Sequence, residues 1–489
     1  MNSVNDSFKY ITLLFVTPTI LGLLLALSFD PYNIPFLPIM IIAFFFLKND
    51  YIYKNYKKNL KFFFITGFIF GFSFFLTSIY WISNSISEFN EELVFLTPIP
   101  LILLPAILAL FYGLMQICNS FHWNNSNFRV LFFTSFWIIF ELMRSFLFTG
   151  FPWGLIAYTW SWSTQFIQIV SVIGVYGLSF LTILCSCLIG LSFTKKENFI
   201  FLIISIFILI LLFSYGHLRI KNYSNSYHDN QYRIVHTHFN QKEKWKKENI
   251  DEMASKGSPD LITIFPETAF GMYNVKNPKW FVGHIREENG VYFNSIVFSN
   301  KIYDKKKLVP FGEYIPYERQ LKILGLKDLI FMGSMRSGKD QQDFVDNILP
   351  LICYESVFPN FVRQSIKRDT ELIINISNDA WFGEGIGPQQ HFTHSRFRSI
   401  EHGISLIRSA NKGISALVNP IGKVDNVIKS DHIAYLDVKV PKKLSQTAYT
   451  KYGESFVYFL IVIFLVIGYA NSIINRKNKY DRQKISIYQ

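Results

Sequence analysis

Cysteine is scarce in this chain. Four occur in 489 residues, and Cys118, Cys185 and Cys187 lie in hydrophobic stretches, so Cys353 has no evident partner in the intervening soluble block. A disulfide-stapled secreted fold is excluded. Charge is scarce as well: 17% of residues are Asp, Glu, Lys or Arg, against 50% apolar and 18% aromatic. That balance excludes an ordinary cytosolic enzyme, and the length exceeds one domain, which leaves a membrane protein carrying a soluble domain. There is no Gly-x-x-x-x-Gly-Lys-Ser/Thr loop for a nucleotide. No set of Cys, His or acidic ligands accompanies the neighbouring His391 and His394, so neither metal nor cofactor is expected. The net charge of +13 could point to nucleic acid, but the cations cluster at the ends of apolar segments, and no nucleic-acid partner is expected.

Seven apolar segments come first, at about residues 9–29, 33–47, 62–84, 93–118, 130–148, 163–193 and 199–215, and one more follows at about 455–474. Several approach the ~20 residues that cross a bilayer, so about eight spans are expected. Lys48, Lys54, Lys57, Lys58 and Lys61 fill one link, Lys195 and Lys196 another, and Arg476, Lys477, Lys479, Arg482 and Lys484 the tail, whereas Glu88, Glu91 and Glu92 mark an acidic link. Eight spans put every cationic cluster on one face, which the positive-inside rule makes cytoplasmic. No small-residue cleavage site follows Leu27-Ser-Phe-Asp-Pro, so the first segment is read as an uncleaved span. The organisation is then a bundle of seven helices over 1–217, an outward domain over 218–450, and a last helix with a basic cytoplasmic tail over 451–489.

Within 218–450, β-rich runs occur at 232–235, 261–265, 291–299, 348–353, 371–377, 414–418 and 432–440, with helix-compatible stretches at 356–368 and 390–410. This alternation predicts a layered α/β domain. Three polar residues sit at the margins of apolar runs: Glu267 after Leu261-Ile-Thr-Ile-Phe-Pro, Lys305 before Lys-Lys-Leu-Val-Pro-Phe-Gly-Glu313, and Cys353 after Ile348-Leu-Pro-Leu-Ile. Singly, each has a plain reading: a surface acid, one member of a solvated run, a core thiol. Together they supply a base, a cation and a nucleophile. A thiol of reference pKa ~8.5 needs a base to react at neutral pH, and an ammonium can steady both thiolate and oxyanion.

Four ordered blocks make the pattern specific: Pro266-Glu267, Tyr303-Asp-Lys305 with Leu308-Val-Pro-Phe-Gly-Glu313, Cys353-Tyr354-Glu355, and Asn378-Asp-Ala-Trp-Phe-Gly383. With Gly67-Phe-Ile-Phe-Gly71, Tyr80-Trp81, Gly150-Phe-Pro-Trp153 and Gly174-Val-Tyr-Gly-Leu-Ser-Phe180, the chain resembles the apolipoprotein N-acyltransferases, the membrane branch of the nitrilase superfamily. The resemblance implies a polytopic helical bundle carrying a nitrilase-like α-β-β-α sandwich. It implies that Cys353 takes an acyl chain from a phospholipid as a thioester and passes it to the α-amine of a diacylglyceryl-cysteine on an apolipoprotein. Glu267 would then be the base and Lys305 the oxyanion stabiliser, with Glu313, Tyr354, Glu355 and Asn378 supporting them. For Glu313, the alternative is simply tying a turn to backbone amides. Trp245, Phe311, Trp381 and Phe382 are candidate lipid contacts, and the same aromatics suit a core or an interface. Arg144 either holds a headgroup or snorkels from a helix end. The implied location is the bacterial inner membrane with the catalytic domain periplasmic, and a monomer is expected.

Departures from the family pattern are specific. His236 and His238 stand where glutamine and asparagine are usual, Lys307 replaces a common histidine, and the arm from Glu267 to Lys305 is short. A membrane-anchored nitrilase-like amidase would share the triad but would not require the spans. A transporter would require charges within the spans.

Overall fold

The structure, a computed structural model, describes residues 11–56, 59–124, 126–316, 335–340, 342 and 344–487, with side chains described as far as residue 474. Lys57 and Lys58 lie outside the described residues, as do the side chains of the tail cations. The chain divides into two compact units. One comprises Met1–Tyr80, Ile99–His217 and Tyr452–Gln489, the other Trp81–Pro98 and Leu218–Lys451.

In the first unit a helix stands at each of the eight apolar segments: Thr12–Ala26, Leu37–Tyr56, Leu60–Ser78, Pro98–His122, Arg129–Arg144, Val170–Ser192, Phe199–Lys221 and Ser455–Ile487. Among the described residues, five helices are long and apolar enough to cross a membrane: Leu60–Ser78, Pro98–His122, Val170–Ser192, Lys196–Lys221 and Ser455–Ile474. The other three fall outside that measure of length and composition. Thr12–Ala26 is short, Arg129–Arg144 has 16 residues, and Leu37–Tyr56 carries Lys48, Asp50 and Lys54. Asp50 is answered by Arg129 at 2.7 Å and by the Trp123 indole at 2.9 Å, which lowers the cost of burying the charge. Helices approach closely where side chains are absent: a Cβ on Gly67 would lie 2.4 Å from the Tyr112 carbonyl oxygen, and one on Gly71 would meet the Tyr112 side chain at 2.9 Å. Small residues four apart permit this contact between helices.

The second unit is an α-β-β-α sandwich. One sheet has the order β11-β1-β2-β3-β4-β5 and the other β10-β9-β8-β7-β6. Their ranges are β1 Tyr227–His236, β2 Ile262–Ile264, β3 Trp280–Glu288, β4 Val291–Phe298, β5 Lys301–Asp304, β6 Ile348–Ile352, β7 Leu372–Asn378, β8 Ser405–Asn411, β9 Ala416–Val418, β10 Val424–Val427 and β11 Ala434–Pro441. The β6, β7 and β8 strands run parallel, and every residue in them is buried. Strands covered on both faces read as continuous apolar runs, which is why β6 and β7 are plain in the sequence. Between the sheets, Ile234, Ile264, Phe281 and Ile296 pack against Ile352, Ile374, Ile376 and Ile407. Outside one sheet the helix Lys247–Ser255 contributes Ile250 and Met253; outside the other, Pro359–Ser365 and Gly387–His402 contribute Val362 and Phe392.

The helix expected over 390–410 is corrected: it ends at His402, where Gly403 takes φ +64 as its C-terminal cap, and residues 405–411 form a strand. The short arm between Glu267 and Lys305 contains the β3–β4 hairpin, whose Asn289-Gly290 connection has φ values of 53 and 76. That pair suits the two positive-φ positions of a tight hairpin turn.

Candidate active site

Glu267, Lys305 and Cys353 each follow a strand by one to three residues, and folding joins them in one buried cluster. Glu267 stands in the loop after β2. A Cβ on Gly283 of β3 would lie 2.1 Å from the Pro266 carbonyl oxygen and 2.8 Å from the Glu267 Cα, so only glycine allows β3 to support that loop this closely. Lys305 follows β5, and its backbone N–H donates to the Asn294 carbonyl of β4 at 2.8 Å. Cys353 follows β6 with φ +50, a left-handed conformation that is costly for a side-chain-bearing residue and recurs at nucleophile turns.

Hydrogen bonds join these pieces. Lys305 Nζ donates to Glu267 Oε1 at 3.1 Å and to Glu313 Oε1 at 2.9 Å. Asn294 Nδ2 donates to the same two oxygens, at 2.7 and 2.8 Å. The other Glu267 oxygen accepts from the Asn378 backbone N–H at 2.8 Å, while the Asn378 amide head contacts the amides of Gln241 and Asn411 at 2.7 and 2.8 Å. The other Glu313 oxygen, Oε2, accepts from the Val309 N–H at 2.8 Å and ties the turn. Glu355 accepts from Ile352 N–H at 2.7 Å, Lys306 N–H at 2.7 Å, Lys307 N–H at 3.3 Å and the Tyr303 hydroxyl at 2.9 Å. It therefore straps the cysteine turn to the lysine loop.

Electrostatics sort the three central groups. Burial pushes the Cys353 thiol well above its ordinary value, and the neighbouring Glu267 pushes it further, so Cys353 rests as a protonated thiol. Burial also works against the Glu267 charge, yet Lys305 and Asn294 outweigh it and hold the carboxyl below the usual range. Lys305 is opposed by burial and held protonated by Glu267 and Glu313. The cluster thus contains an ionised acceptor beside a neutral thiol, as general-base activation requires.

Behind Cys353 lies a set that sequence reasoning missed. His391 Nε2 is 3.2 Å from the Cys353 carbonyl oxygen and Nδ1 is 2.9 Å from Asp379 Oδ1. Cys353, Asp379 and His391 offer ligand atoms within 4.8 Å of one another, the ligand set that the sequence did not pair with His391. Arg408 Nη2 lies 2.9 Å from Asp379 Oδ2 and 3.1 Å from His391 Nδ1, so a full positive charge already occupies the side where a cation would bind. This cluster fits a support for the cysteine turn better than a metal site.

The remaining expected residues lie as follows. Trp245 is 39% exposed, its indole donating to the Thr268 carbonyl at 2.8 Å. Phe311 is exposed, Tyr354 is buried edge-on against Phe358, and Trp381 is half-buried. Phe382 lies tilted against Trp81, with ring centroids 4.4 Å apart, and edge-on to His391 at 5.5 Å. Arg144 belongs to the first unit and is 2% exposed, with Nη1 donating to the carbonyls of Phe151 and Trp153. It also lines a pocket with Tyr112, Trp137 and Glu141. His236 is buried with Nδ1 3.0 Å from the Ser415 hydroxyl, away from the Glu267 cluster's hydrogen bonds. Asn294 was also missed, although a lone asparagine inside Val291-Tyr-Phe-Asn-Ser-Ile-Val-Phe is a polar interruption worth asking about.

Residues 21–188 match the family described as the apolipoprotein N-acyltransferase N-terminal domain, and residues 242–459 match the carbon-nitrogen hydrolase family. Proteins named apolipoprotein N-acyltransferase from Rickettsia bellii and Rickettsia prowazekii are 33% and 34% identical to this chain. The alignments cover 92% and 93% of it and 96% and 98% of them. One from Brucella melitensis is 30% identical over 77% of this chain and 79% of its own. Among solved structures, an amidase from Nesterenkonia sp. has 14% identity and a TM-score of 0.33, covering 48% of this chain and 97% of that one.

Proposed function

The chain belongs to the apolipoprotein N-acyltransferase family, and from that premise we propose a two-step acyl transfer through Cys353. It is a membrane protein and an acyltransferase with lipid and lipoprotein substrates. In the first step the Cys353 thiol gives its proton to Glu267 as sulfur attacks a phospholipid ester carbonyl. Lys305 steadies the resulting oxyanion. Collapse breaks the ester C–O bond, the proton passes from Glu267 to the departing alkoxide, and a lysophospholipid leaves an acyl thioester. In the second step the α-amine of a diacylglyceryl-cysteine attacks the thioester, gives a proton to Glu267, and expels the sulfur, which recovers its proton. The apolipoprotein then carries an N-acyl amide. Carrying this reading is the full set of donors on Glu267, which keeps a buried carboxylate ionised beside a protonated thiol.

Glu313 and Asn378 hold the base and the lysine, Glu355 holds the two loops together, and Tyr354 packs beside the nucleophile. Trp245, Phe311, Trp381 and Phe382 would line the route of the acyl chain, with the half-exposed Trp245 and exposed Phe311 the first to meet it. In this reading residues 218–450 face the periplasm, 1–217 and 451–489 anchor them in the bacterial inner membrane, and the enzyme acts as a monomer.

Incubation with phospholipid vesicles should increase the mass of the chain by one acyl group, removable by hydroxylamine. Adding a diacylated lipopeptide should move that group onto the peptide amine. Cys353→Ala should abolish both, and an alanine variant that still transfers acyl chains at the normal rate would falsify the assignment. Release of free fatty acid alone, with no acylated peptide, would instead favour the amidase.

A further inference from the structure

The charges around Cys353 do not balance without one more residue. Lys305 bridges two carboxylates, Glu267 at 3.1 Å and Glu313 at 2.9 Å, so this trio carries a net negative charge before the thiol reacts. The Asp379 carboxylate behind the cysteine is answered by Arg408. The Glu355 carboxyl is held by three backbone N–H groups and the Tyr303 hydroxyl, none of them a cation. Because Glu267 takes the thiol proton, attack on an ester carbonyl moves one of these negative charges from Glu267 to the carbonyl oxygen and leaves the total unchanged, in a buried space where uncompensated charge is expensive. A second cation nearby would offset the excess.

Lys244 is that cation. Its side chain is 4% exposed, and its Nζ donates to the Thr268 hydroxyl at 2.8 Å, lies 3.1 Å from the amide head of Asn378 and sits 4.6 Å over the Trp245 ring. Thr268 directly follows the base Glu267 and is itself held at φ +48. Among the described residues no carboxylate lies within ion-pairing distance of Lys244, unlike the outward-facing Lys242 and Lys246, which pair with Glu91 and Glu243 at 2.8 Å. The groups that act on it electrostatically are Glu267 and Cys353. A buried ammonium bonded to the residue next to Glu267 and, among the described residues, not paired with an acid is unusual for a structural lysine.

We propose that Lys244 is a second cation of the reacting cluster, which offsets the net negative charge of the Glu267–Lys305–Glu313 trio as that charge passes from Glu267 to the carbonyl oxygen during thioester formation. Lys244 gives up no proton: the thiol proton goes to Glu267, the sulfur pair forms the new bond to carbon, and the carbonyl pair moves to oxygen within the field of both lysines. This inference rests on the acyl-transfer reading above. Burial lowers the Lys244 ammonium to about 8, although Glu267 and Cys353 both resist that fall. The cation is therefore present at neutral pH and lost a little above it. Around it the ionisable groups are Glu267, Cys353, Lys305 and Glu313, with Asp379, His391 and Arg408 behind the cysteine.

The test is single-turnover acylation of the full-length chain by phospholipid vesicles, followed by intact mass between about pH 5.5 and 9.5, for wild type, Lys244→Met, Lys244→Arg and Cys353→Ala. Wild type should lose rate on an alkaline limb near pH 8. Lys244→Met should acylate on the order of 10²-fold more slowly. Its alkaline limb should vanish, and its acid limb should move upward because Glu267 loses a neighbour that keeps it ionised. Lys244→Arg, charged throughout this range, should extend activity past the wild-type alkaline limb. The proposal is overturned if Lys244→Met acylates within about threefold of wild type with the same pH profile. It is equally overturned if both variants slow by one factor at every pH, the mark of a packing role. Mass gain in Cys353→Ala would instead sink the acyl-transfer reading itself.

Discussion

A single amide holds the two site carboxylates. Asn294 gives one hydrogen to Glu267 and one to Glu313, on the same oxygens that Lys305 contacts. Removing it leaves two acids sharing one ammonium, and the proton affinity of Glu267 rises. Asn294→Ala should therefore shift the acid limb of thioester formation upward by about one pH unit, with little change at neutral pH where Glu267 stays ionised, read from acylation rates across pH. An unmoved acid limb would mean that the cations keep Glu267 ionised without Asn294. At this scale Glu267, Lys305 and Cys353 were legible because each lies in a contiguous motif. Asn294, Lys244 and the Asp379–His391–Arg408 set were not, because their meaning lies in contacts between strands distant in sequence. Arg408 in particular sits within Ser405-Leu-Ile-Arg-Ser-Ala-Asn, where nothing local announces a buried ion pair.

The strands fall into two classes of legibility. The apolar runs at β6 and β7 declared themselves, since burial on both faces demands continuous hydrophobicity. The β8 strand is as deeply buried but contains Arg408, Ser409 and Asn411, whose partners come from elsewhere in the fold, and it was merged into the preceding helix. Gly403 between them carried the stop signal. The β3–β4 hairpin was announced by Asn289-Gly290 yet hidden by the charged residues of β3 around it. That β3 strand also supports the loop bearing Glu267, with Gly283 against Pro266. Gly283→Ala should force the strand and loop apart, reducing acylation by about 10²-fold, as a displacement of ~1 Å at reacting groups does. The control is the melting temperature: an active variant with an unchanged melt would show that the loop tolerates the methyl group.

For the molecule as a whole, buried neutral histidines set the response to acid. Burial lowers His402 to about 3 and His236 to about 4, in the latter case with help from His238. An unfolded histidine titrates near ~6.5, so below that pH the unfolded chain binds protons that the folded chain declines, and stability falls as pH drops. At pH 5 the loss should be on the order of 1–2 kcal/mol for each. The melting temperature should decline from pH 7 to pH 5, and His402→Gln should flatten that decline even if it lowers the melt overall. A slope unchanged by the substitution would show that other groups set the acid response. The membrane segments were legible as eight apolar runs, but the assignment of Trp81–Pro98 was not. This stretch lies between two spans, and its attachment depends on the Trp81 indole donating to Gln390 at 3.3 Å and the Asn84 amide donating to the Phe382 carbonyl at 2.9 Å. Those partners give it a schedule. The ribosome makes residues 81–98 roughly 120 residues before residue 218 emerges, about 6–24 s at ~5–20 residues per second. Trp81 must therefore wait through several membrane insertions for the surface it will cover, and the catalytic unit closes around one of the earliest pieces of the chain to be made.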